Sequence, residues 1–254
     1  MVERGRVSGE REMEEKTIRW GHPSYVWRSG QERRLRLILE YVPLQDKRIL
    51  DVGCGLGLYV KRFRDYSDEV YGVDIDPEKV AEASKELPNI KQAPAEALPF
   101  DDGFFDVVML HEVLEHVDDD RQAVIEACRV LRPGGKMVIF APNRLYFFET
   151  HGCYWRGKYH FGNIPLINYL PNFLRNRLCP HVRAYTSGEL RKLFQGLPVR
   201  CLVHTQIYPG YDNIAHRRPW LASLLRKITY TLEKSPLRIF GLSHFMVMEK
   251  VQHQ

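Results

Sequence analysis

The run from Ile49 to Gly57 constrains the fold of this chain more than any other part of its 254 residues. Its apolar residues Ile49, Leu50 and Val52 are typical of a strand buried on both faces of a parallel sheet. Three alternate glycines follow, and glycine lets a backbone turn tightly and approach a ligand closely. A dinucleotide fingerprint, G-x-G-x-x-G, would need glycine at position 58, which is Leu58. The run therefore indicates a loop for a cofactor other than NAD or FAD.

A second apolar segment, residues 69–75, carries an acid near its carboxyl end. Asp74 lies 21 residues after Gly53, where doubly wound folds place the carboxylate that accepts from the ribose hydroxyls of a nucleotide. Asp76 and Pro77 follow, and Asp at the N-cap with Pro at the first helical position is typical of a helix start. We therefore expect Asp74 to bind the cofactor and Asp76 to cap a helix.

Three further segments follow in an order that points to one enzyme family. Residues 93–100 read A-P-A-E-A-L-P-F, residues 104–116 read as a strand and the turn after it, and residues 131–140 read as a turn and a strand. Together with the glycine loop and Asp74, this series resembles the class I S-adenosylmethionine (SAM) dependent methyltransferases, and it is closest to their type 11 and quinone-biosynthesis branch. The resemblance is strong over residues 48–142 and weak elsewhere.

The resemblance implies a doubly wound, Rossmann-like α/β fold, with a seven-stranded, mainly parallel sheet, an antiparallel last strand and helical insertions. It implies SAM as the cofactor, and a SAM site formed by Asp51, Gly53, Cys54, Gly55, Gly57, Asp74, Ile75, Ala95, Glu96 and His111. Pro94 departs from the family pattern, because the family has an Asp there that accepts from the adenine amino group. Since proline has no carboxylate, the Ala95 amide and the Glu96 carboxylate remain for that contact.

The expected organisation is one domain with additions. Residues 1–47 are assigned to an N-terminal tail and lid helix, whose aromatic segment 20–28 is suited either to closing over SAM or to core packing. Residues 48–250 are assigned to the methyltransferase domain. The five cysteines are scattered without a C-x-x-C pair, which predicts neither disulfides nor a zinc site. With no signal segment and no run of ~18 apolar residues, we expect a cytoplasmic protein, peripheral to a membrane at most.

An insertion is predicted over residues 143–185. This segment is rich in aromatic, histidine and basic residues, and it is too long for a plain turn. In the family, the connection after the fifth strand is where acceptor-binding elements are commonly inserted. We therefore predict an acceptor-side lid here.

A second insertion, residues 209–241, separates two predicted strands at 199–208 and 243–250. Its segment 219–234 has apolar residues at helical spacing, with three basic residues on other faces, Arg226, Lys227 and Lys234. An amphipathic basic helix suits an anionic membrane surface or a greasy substrate. Packing on its own domain is the alternative.

Charge is divided unevenly along the chain. Residues 1–140 hold 21 Lys and Arg against 27 Asp and Glu, whereas residues 141–254 hold 16 against 5. This asymmetry favours an anionic partner for the second part, such as a phosphate group, a membrane surface or nucleic acid. The alternative is that the basic part compensates the acidic part within the molecule.

Methyl transfer from a sulfonium is an in-line displacement, so the protein mainly aligns the reactants and deprotonates a hydroxyl acceptor. Histidine suits that proton transfer. The candidates are His111, at the carboxyl end of the fourth strand, and His151 and His160 on the predicted lid. A positional role beside the methionine part of SAM is the alternative for His111.

The run from Glu112 to His116, E-V-L-E-H, resembles a run of the quinone O-methyltransferases that is associated with a divalent cation. The same residues, Glu112, Glu115 and His116, commonly serve as helix cap and packing, and the prediction includes no metal site. The three aspartates at 118–120 are interpreted as a helix cap and a complement to the helix dipole.

Three functional hypotheses follow. The first is a SAM-dependent methyltransferase that acts, on oxygen, on a small-molecule or lipid-linked acceptor with anionic groups. The second is a tRNA methyltransferase, which the basic second half favours, although no RNA-binding module is recognisable. The third is a SAM-binding protein without catalysis, suggested by Pro94.

Overall fold

The computed structural model describes residues 26–252, and one seven-stranded sheet forms its centre. The strands of this sheet are β1 Ile49–Val52, β2 Val70–Asp74, β3 Ile90–Gln92, β4 Phe105–His111, β5 Leu131–Pro142, β10 Val199–Ile207 and β11 Ser243–Lys250. They lie in the order β3-β2-β1-β4-β5-β11-β10. Pairings from β3 to β5 are parallel, whereas β11 is antiparallel to both β5 and β10. The predicted mainly parallel sheet with an antiparallel last strand is confirmed.

Helices accompany the strands along the chain. They are α1 Ser29–Tyr41, α2 Leu58–Phe63, α3 Pro77–Ala83, α4 Asp120–Val130, α5 Asn172–Leu178, α6 Ser187–Lys192, α7 Asp212–Arg217 and α8 Pro219–Leu232. The start of α3 is as predicted, because the Asp76 carboxylate accepts from the Glu78 amide at 2.9 Å and Pro77 is the first helical residue. Asp119 caps α4 in the same way, through the Gln122 amide.

The strands point alternate residues into two separate cores. In β1, Leu50 and Val52 belong to the core that α4 covers, and Ile49 belongs to the core that α1 and α2 cover. The buried residues Leu35 and Ile38 are the contribution of α1. The helix predicted as part of a lid is therefore also a core element, and both faces of the sheet are covered as in a doubly wound fold.

The N-terminus of α1 is capped by a residue from a distant part of the chain. Asp212, at the start of α7, accepts from the Ser29 amide through Oδ1 and from the Gly30 amide through Oδ2, both at 3.1 Å. A carboxylate at this position satisfies two free N–H groups and complements the helix dipole. Of the aromatic segment expected either to close over SAM or to pack in the core, residues 20–25 lie outside the described residues, and Trp27 packs against Tyr59 with ring centroids 5.0 Å apart.

Replacing Asp212 with alanine is expected to lower the free energy of unfolding by about 1–2 kcal/mol, because α1 loses its cap. Denaturant unfolding followed by circular dichroism measures the change. The matched control is Asn213→Ala, which removes an exposed contact to the Arg28 side chain and should cost less than about 0.5 kcal/mol. Equal effects of the two substitutions would contradict the capping role.

Residues 143–185 leave the sheet and return to it at one point, where Asn143 forms a β-bridge with Tyr185. The segment contains two short antiparallel pairs, β6 Phe148–Glu149 with β9 Ile164–Pro165, and β7 Cys153–Trp155 with β8 Lys158–His160. A small core supports them, formed by Cys153, Ile167, Cys179 and Val182. The predicted bounds of this insertion coincide with the bridging residues.

A buried ion pair holds the insertion together. The Arg175 guanidinium, on α5, donates to Glu149 Oε2 at 2.8 Å and to the Val182 carbonyl at 2.6 Å. The side chains of Arg175 and Glu149 are 2% and 3% exposed. Each charge therefore depends on the other, since an unpaired charge at this depth would be strongly destabilising.

The helix predicted over 219–234 is present as α8. Exposed apolar residues recur along it at four-residue intervals: Trp220, Leu224 and Ile228. Of the basic residues predicted on its other faces, Arg226 contacts the rest of the protein: it donates to the Gly210 carbonyl and the Ser29 hydroxyl, each at 2.7 Å. Lys227 is exposed. Within residues 26–252, no helix is long and apolar enough to cross a membrane.

Candidate functional site

The three glycines after β1 all have positive φ angles, but their surroundings differ. An added Cβ would lie 2.5 Å from Val113 at Gly53 and 2.3 Å from Leu87 at Gly57. At Gly55, no atom of residues 26–252 outside its immediate chain neighbours lies within 4 Å of such a Cβ. Glycine suits the left-handed backbone at all three positions. Gly55 is the one of the three that faces open space, so a ligand can approach the backbone there.

Asp74, at the end of β2, hydrogen-bonds to the backbone of this loop. Its Oδ2 accepts from the Gly55 amide at 2.8 Å, and its Oδ1 accepts from the Asp76 amide at 2.9 Å. Since a carboxylate has about four acceptor positions, each oxygen retains capacity for a ligand hydroxyl. Asp51 is buried nearby, and burial, followed by the charge of Asp74, raises its pKa well above the ordinary value.

A cavity of about 960 Å³ lies over the carboxyl ends of β1, β2 and β4, where doubly wound folds bind ligands. Its volume is at the upper end of the range for ligand sites, which leaves space for a cofactor and a second molecule. The predicted site residues in its lining are Asp51, Gly53, Cys54, Gly55, Asp74, Ile75, Ala95, Glu96, His111 and His151. Gly57 and His160 are outside the lining: Gly57 is the N-cap of α2, and His160 is exposed in β8.

The segment 93–96 borders the cavity after β3, but the Glu96 carboxylate has a further role. Its Oε1 accepts from the amides of Asp118 and Asp119, at 2.9 and 3.2 Å. Glu96 therefore holds the turn before α4, which leaves its Oε2 and the Ala95 amide for a ligand.

His111, at the end of β4, is bound by α1. Arg34 donates to His111 Nε2, and to the Glu112 carboxylate at 2.6 Å. Burial, then the charge of Arg34, lowers the pKa of His111 to about 3. When Nε2 accepts from Arg34, the ring proton is on Nδ1 and no lone pair remains for another proton. The geometry therefore disfavours the predicted base function of His111 and is compatible with the positional alternative.

His151 lies on the insertion and reaches the same cavity. Its Nδ1 is 3.1 Å from Glu149 Oε1, and its ring centroid is 5.3 Å from that of His116. Burial opposes charge on His151, but the hydrogen bond to Glu149 and the neighbouring carboxylates raise its pKa. Burial also acts against the Glu149 carboxylate, yet His151 and Arg175 lower its pKa to about 2. Glu149 therefore stays ionised and orients the His151 ring.

Glu115 is 1% exposed, and within residues 26–252 neither of its carboxylate oxygens has a hydrogen-bond partner. Burial, then the charge of Glu112, raises the pKa of Glu115 to about 8. His116 Nδ1 is buried and equally without a partner in the described part of the chain. Glu115, His116 and His151 each offer an atom within 4.8 Å of the others. The structure thus brings two residues of the E-V-L-E-H run together with one from the insertion.

Sequence reasoning missed the cavity residues of α1 and of the segment after β10. They include Arg28, just before α1, Arg33 and Arg34 on α1, and Tyr208 and Asn213 after β10. No local signal marks them, because the start of α1 reads as an ordinary charged helix. Including them, the lining has four Lys or Arg (Arg28, Arg33, Arg34, Lys79) against seven Asp or Glu (Asp51, Asp74, Glu96, Glu112, Asp118, Asp119, Asp212). This balance favours a cationic ligand.

Residues 50–139 match the family model described as a methyltransferase domain. The chain is similar to the uncharacterized methyltransferase YcgJ of Bacillus subtilis, with 37% identity over 145 residues, 52% of this chain and 57% of the relative. It is also similar to the ubiquinone biosynthesis O-methyltransferase of Coxiella burnetii, with 32% identity over 141 residues, 52% of this chain and 58% of the relative. The chain therefore spans a little over half the length of these relatives.

Solved structures share the fold across most of the chain. A SAM-dependent methyltransferase from Mesorhizobium loti superposes with a TM-score of 0.61 at 18% identity, covering 87% of this chain and 97% of the other. The YcgJ structure gives a TM-score of 0.55 at 20% identity, covering 88% and 100%. At these identities the likeness establishes the Rossmann-like architecture.

Proposed function

We propose that this chain, whose residues 50–139 form a domain of the class I SAM-dependent methyltransferase family, transfers a methyl group from SAM to an oxygen of a small-molecule or lipid-linked acceptor. One observation carries the proposal. The glycine loop and Asp74 line the same cavity as His151, Tyr159 and Phe161 of the insertion. A donor and an acceptor bound at these two places would share one space, as an in-line transfer requires.

The described residues fit the cofactor. The open face of Gly55 admits a ligand against the backbone, and the Asp74 carboxylate, fixed by two amides, has acceptor positions left for ribose hydroxyls. The acidic lining favours a cation. When bound, SAM supplies a methyl carbon whose bond to sulfur breaks, with the electron pair staying on sulfur, as the acceptor oxygen attacks.

The acceptor side of the proposal rests on the insertion. Phe161 lines the cavity yet is 68% exposed, and an apolar ring in that position suits an extended apolar acceptor. Because the lining itself is acidic, any phosphate on the acceptor would lie outside the cavity, against the basic surface of residues 141–254. The relation to a ubiquinone biosynthesis O-methyltransferase supports a lipid-linked hydroxyl as the acceptor class.

Labelled-methyl transfer tests the acceptor class. Purified protein is incubated with methyl-labelled SAM and separate lipid, small-molecule and RNA fractions. We expect label in the lipid or small-molecule fraction, as an ether or ester. Label confined to RNA would overturn the acceptor proposal in favour of tRNA methylation, and SAM binding without transfer to any fraction would favour the non-catalytic hypothesis.

We also propose that α8 contacts an anionic membrane surface when a lipid-linked acceptor is used. Leu224 and Ile228 are 47% and 49% exposed, and exposed basic residues occur on α8 and in the segments on either side of it: Arg217, Arg218, Lys227, Lys234 and Arg238. Apolar side chains beside cationic ones are the pattern of an interfacial helix. The arrangement would hold the protein at the surface where its acceptor lies.

The double substitution Leu224→Ser with Ile228→Ser is expected to weaken binding to vesicles of anionic lipid about tenfold or more, because two apolar side chains no longer enter the interface. Sedimentation with the vesicles measures the fraction of protein bound. Leu39→Ser, an exposed apolar residue on α1, is the matched control and should leave binding unchanged. Wild-type protein that fails to sediment with anionic vesicles would refute the membrane contact.

A further inference from the structure

The cluster of Glu115, His116 and His151 has the features of a built site. Glu115 is almost fully buried, and within the described residues neither of its carboxylate oxygens has a hydrogen-bond partner. Nδ1 of His116 is likewise buried and without a partner there. Buried polar atoms without partners are rare and costly in folded proteins. Here two residues with such atoms, Glu115 and His116, lie beside His151, and each of the three offers an atom within 4.8 Å of the others.

His151 is oriented by hydrogen bonds within the insertion. The Nδ1 of His151 is bound to Glu149, which is itself held by Arg175. Histidines that ligate metals are typically held in this way, through the other ring nitrogen, by a carboxylate or a backbone carbonyl. The buried Nδ1 of His116 has no hydrogen-bond partner among the described residues, so this nitrogen is available as a ligand.

We propose that Glu115, His116 and His151 bind one divalent transition-metal ion, Zn²⁺ in preference to Mg²⁺. Two imidazoles and one carboxylate, with a fourth position open, are the donor set of many catalytic zinc sites, whereas Mg²⁺ requires oxygen ligands. Glu112 is not part of this set, because its carboxylate is bound by Arg34. The third ligand comes instead from the insertion.

An ion bound at this position would have two effects, one structural and one chemical. Glu115 and His116 follow β4 whereas His151 lies in the insertion, so the ion joins the insertion to the core. His116 and His151 also line the large cavity, which leaves the open position accessible to an acceptor hydroxyl. A hydroxyl bound to Zn²⁺ loses its proton to water at lower pH than a free one. This second effect rests on the proposed function, but metal binding itself does not.

Calorimetric titration of the metal-free full chain with Zn²⁺ alone tests the site without SAM or acceptor. Cys201 is replaced with serine in every protein, because it is the exposed cysteine and could bind zinc adventitiously. We expect one Zn²⁺ per chain, binding at least 100-fold weaker in His151→Ala and Glu115→Gln, and 10- to 100-fold weaker in Glu149→Gln, which loses the orientation of His151. Mg²⁺ should bind far more weakly.

The control is His160→Ala, an exposed histidine of the same insertion, which should bind Zn²⁺ as the parent protein does. Limited proteolysis provides a second readout, since Zn²⁺ should slow cleavage within residues 143–185 in the parent protein but not in His151→Ala. Absence of Zn²⁺ binding by the parent, or equal affinity in parent and His151→Ala, would overturn the site. Either result would leave SAM binding and methyl transfer to be judged by their own assays.

Discussion

Replacing Asp74 with alanine is expected to weaken SAM binding at least tenfold and towards 100-fold, about 1.4 to 2.7 kcal/mol. The substitution removes the carboxylate that is proposed to accept hydrogen bonds from the ribose, and charge-assisted hydrogen bonds are stronger than neutral ones. The Gly55 and Asp76 amides that it fixes at 2.8 and 2.9 Å also lose their acceptor. Isothermal titration with SAM and with S-adenosylhomocysteine gives the two affinities.

Two further variants separate cofactor contact from a general loss of order. Glu82→Ala, in the exposed part of α3, removes a nearby acid and should leave SAM affinity unchanged. Asp74→Asn keeps one oxygen as an acceptor and should fall between the parent and Asp74→Ala. Unchanged affinity in a folded Asp74→Ala protein would refute the ribose assignment.

Arg175→Ala is expected to lower the free energy of unfolding by about 3–5 kcal/mol, because it leaves the Glu149 carboxylate buried without its partner. Urea unfolding and limited proteolysis of residues 143–185 measure this. Arg177→Ala, two residues further on the same helix but exposed, is the matched control and should change stability by less than about 0.5 kcal/mol. A small effect of Arg175→Ala would show that the pair does not hold the insertion.

The same ion pair predicts the response of the insertion to acid. The pKa of Glu149 is lowered from 4.5 to about 2, so its contribution to stability is complete above pH 4.5 and is lost as the pH falls towards 2. The insertion of the parent protein should therefore become sensitive to an acid-active protease within that range. In Arg175→Ala the sensitivity should begin at higher pH.

The sequence-based predictions succeeded where a local pattern determines the structure. The apolar run at Ile49 and the alternate glycines predicted a strand and a loop, and the spacing to Asp74 placed the end of the second strand. The Asp-Pro pair predicted the start of α3. Each of these signals either lies within a few neighbouring residues or is a spacing typical of the family. None of them therefore required knowledge of contacts between distant parts of the chain.

The remaining features depend on residues far apart in the chain. Asp212 caps a helix that begins 183 residues earlier, and Arg34 binds His111 across 77 residues. Arg175 reads as a surface charge beside Arg177, and only the folded insertion places Glu149 against it. No spacing rule relates such pairs, since loop conformation and packing decide which side chains meet. The surroundings of His111, His151 and His160 depend on such contacts, so the roles assigned to them from the sequence stay predictions.

The bridge between Asn143 and Tyr185 has a consequence for redesign. Because the chain departs from β5 and comes back at adjacent positions, everything between these two residues can be exchanged for another segment without changing the spacing of the sheet. If residues 143–185 bind the acceptor as proposed, cofactor binding and the choice of acceptor are encoded in separable stretches of sequence. On that proposal, a homologous segment grafted between these two residues is expected to change the substrate range while the cofactor loop stays intact.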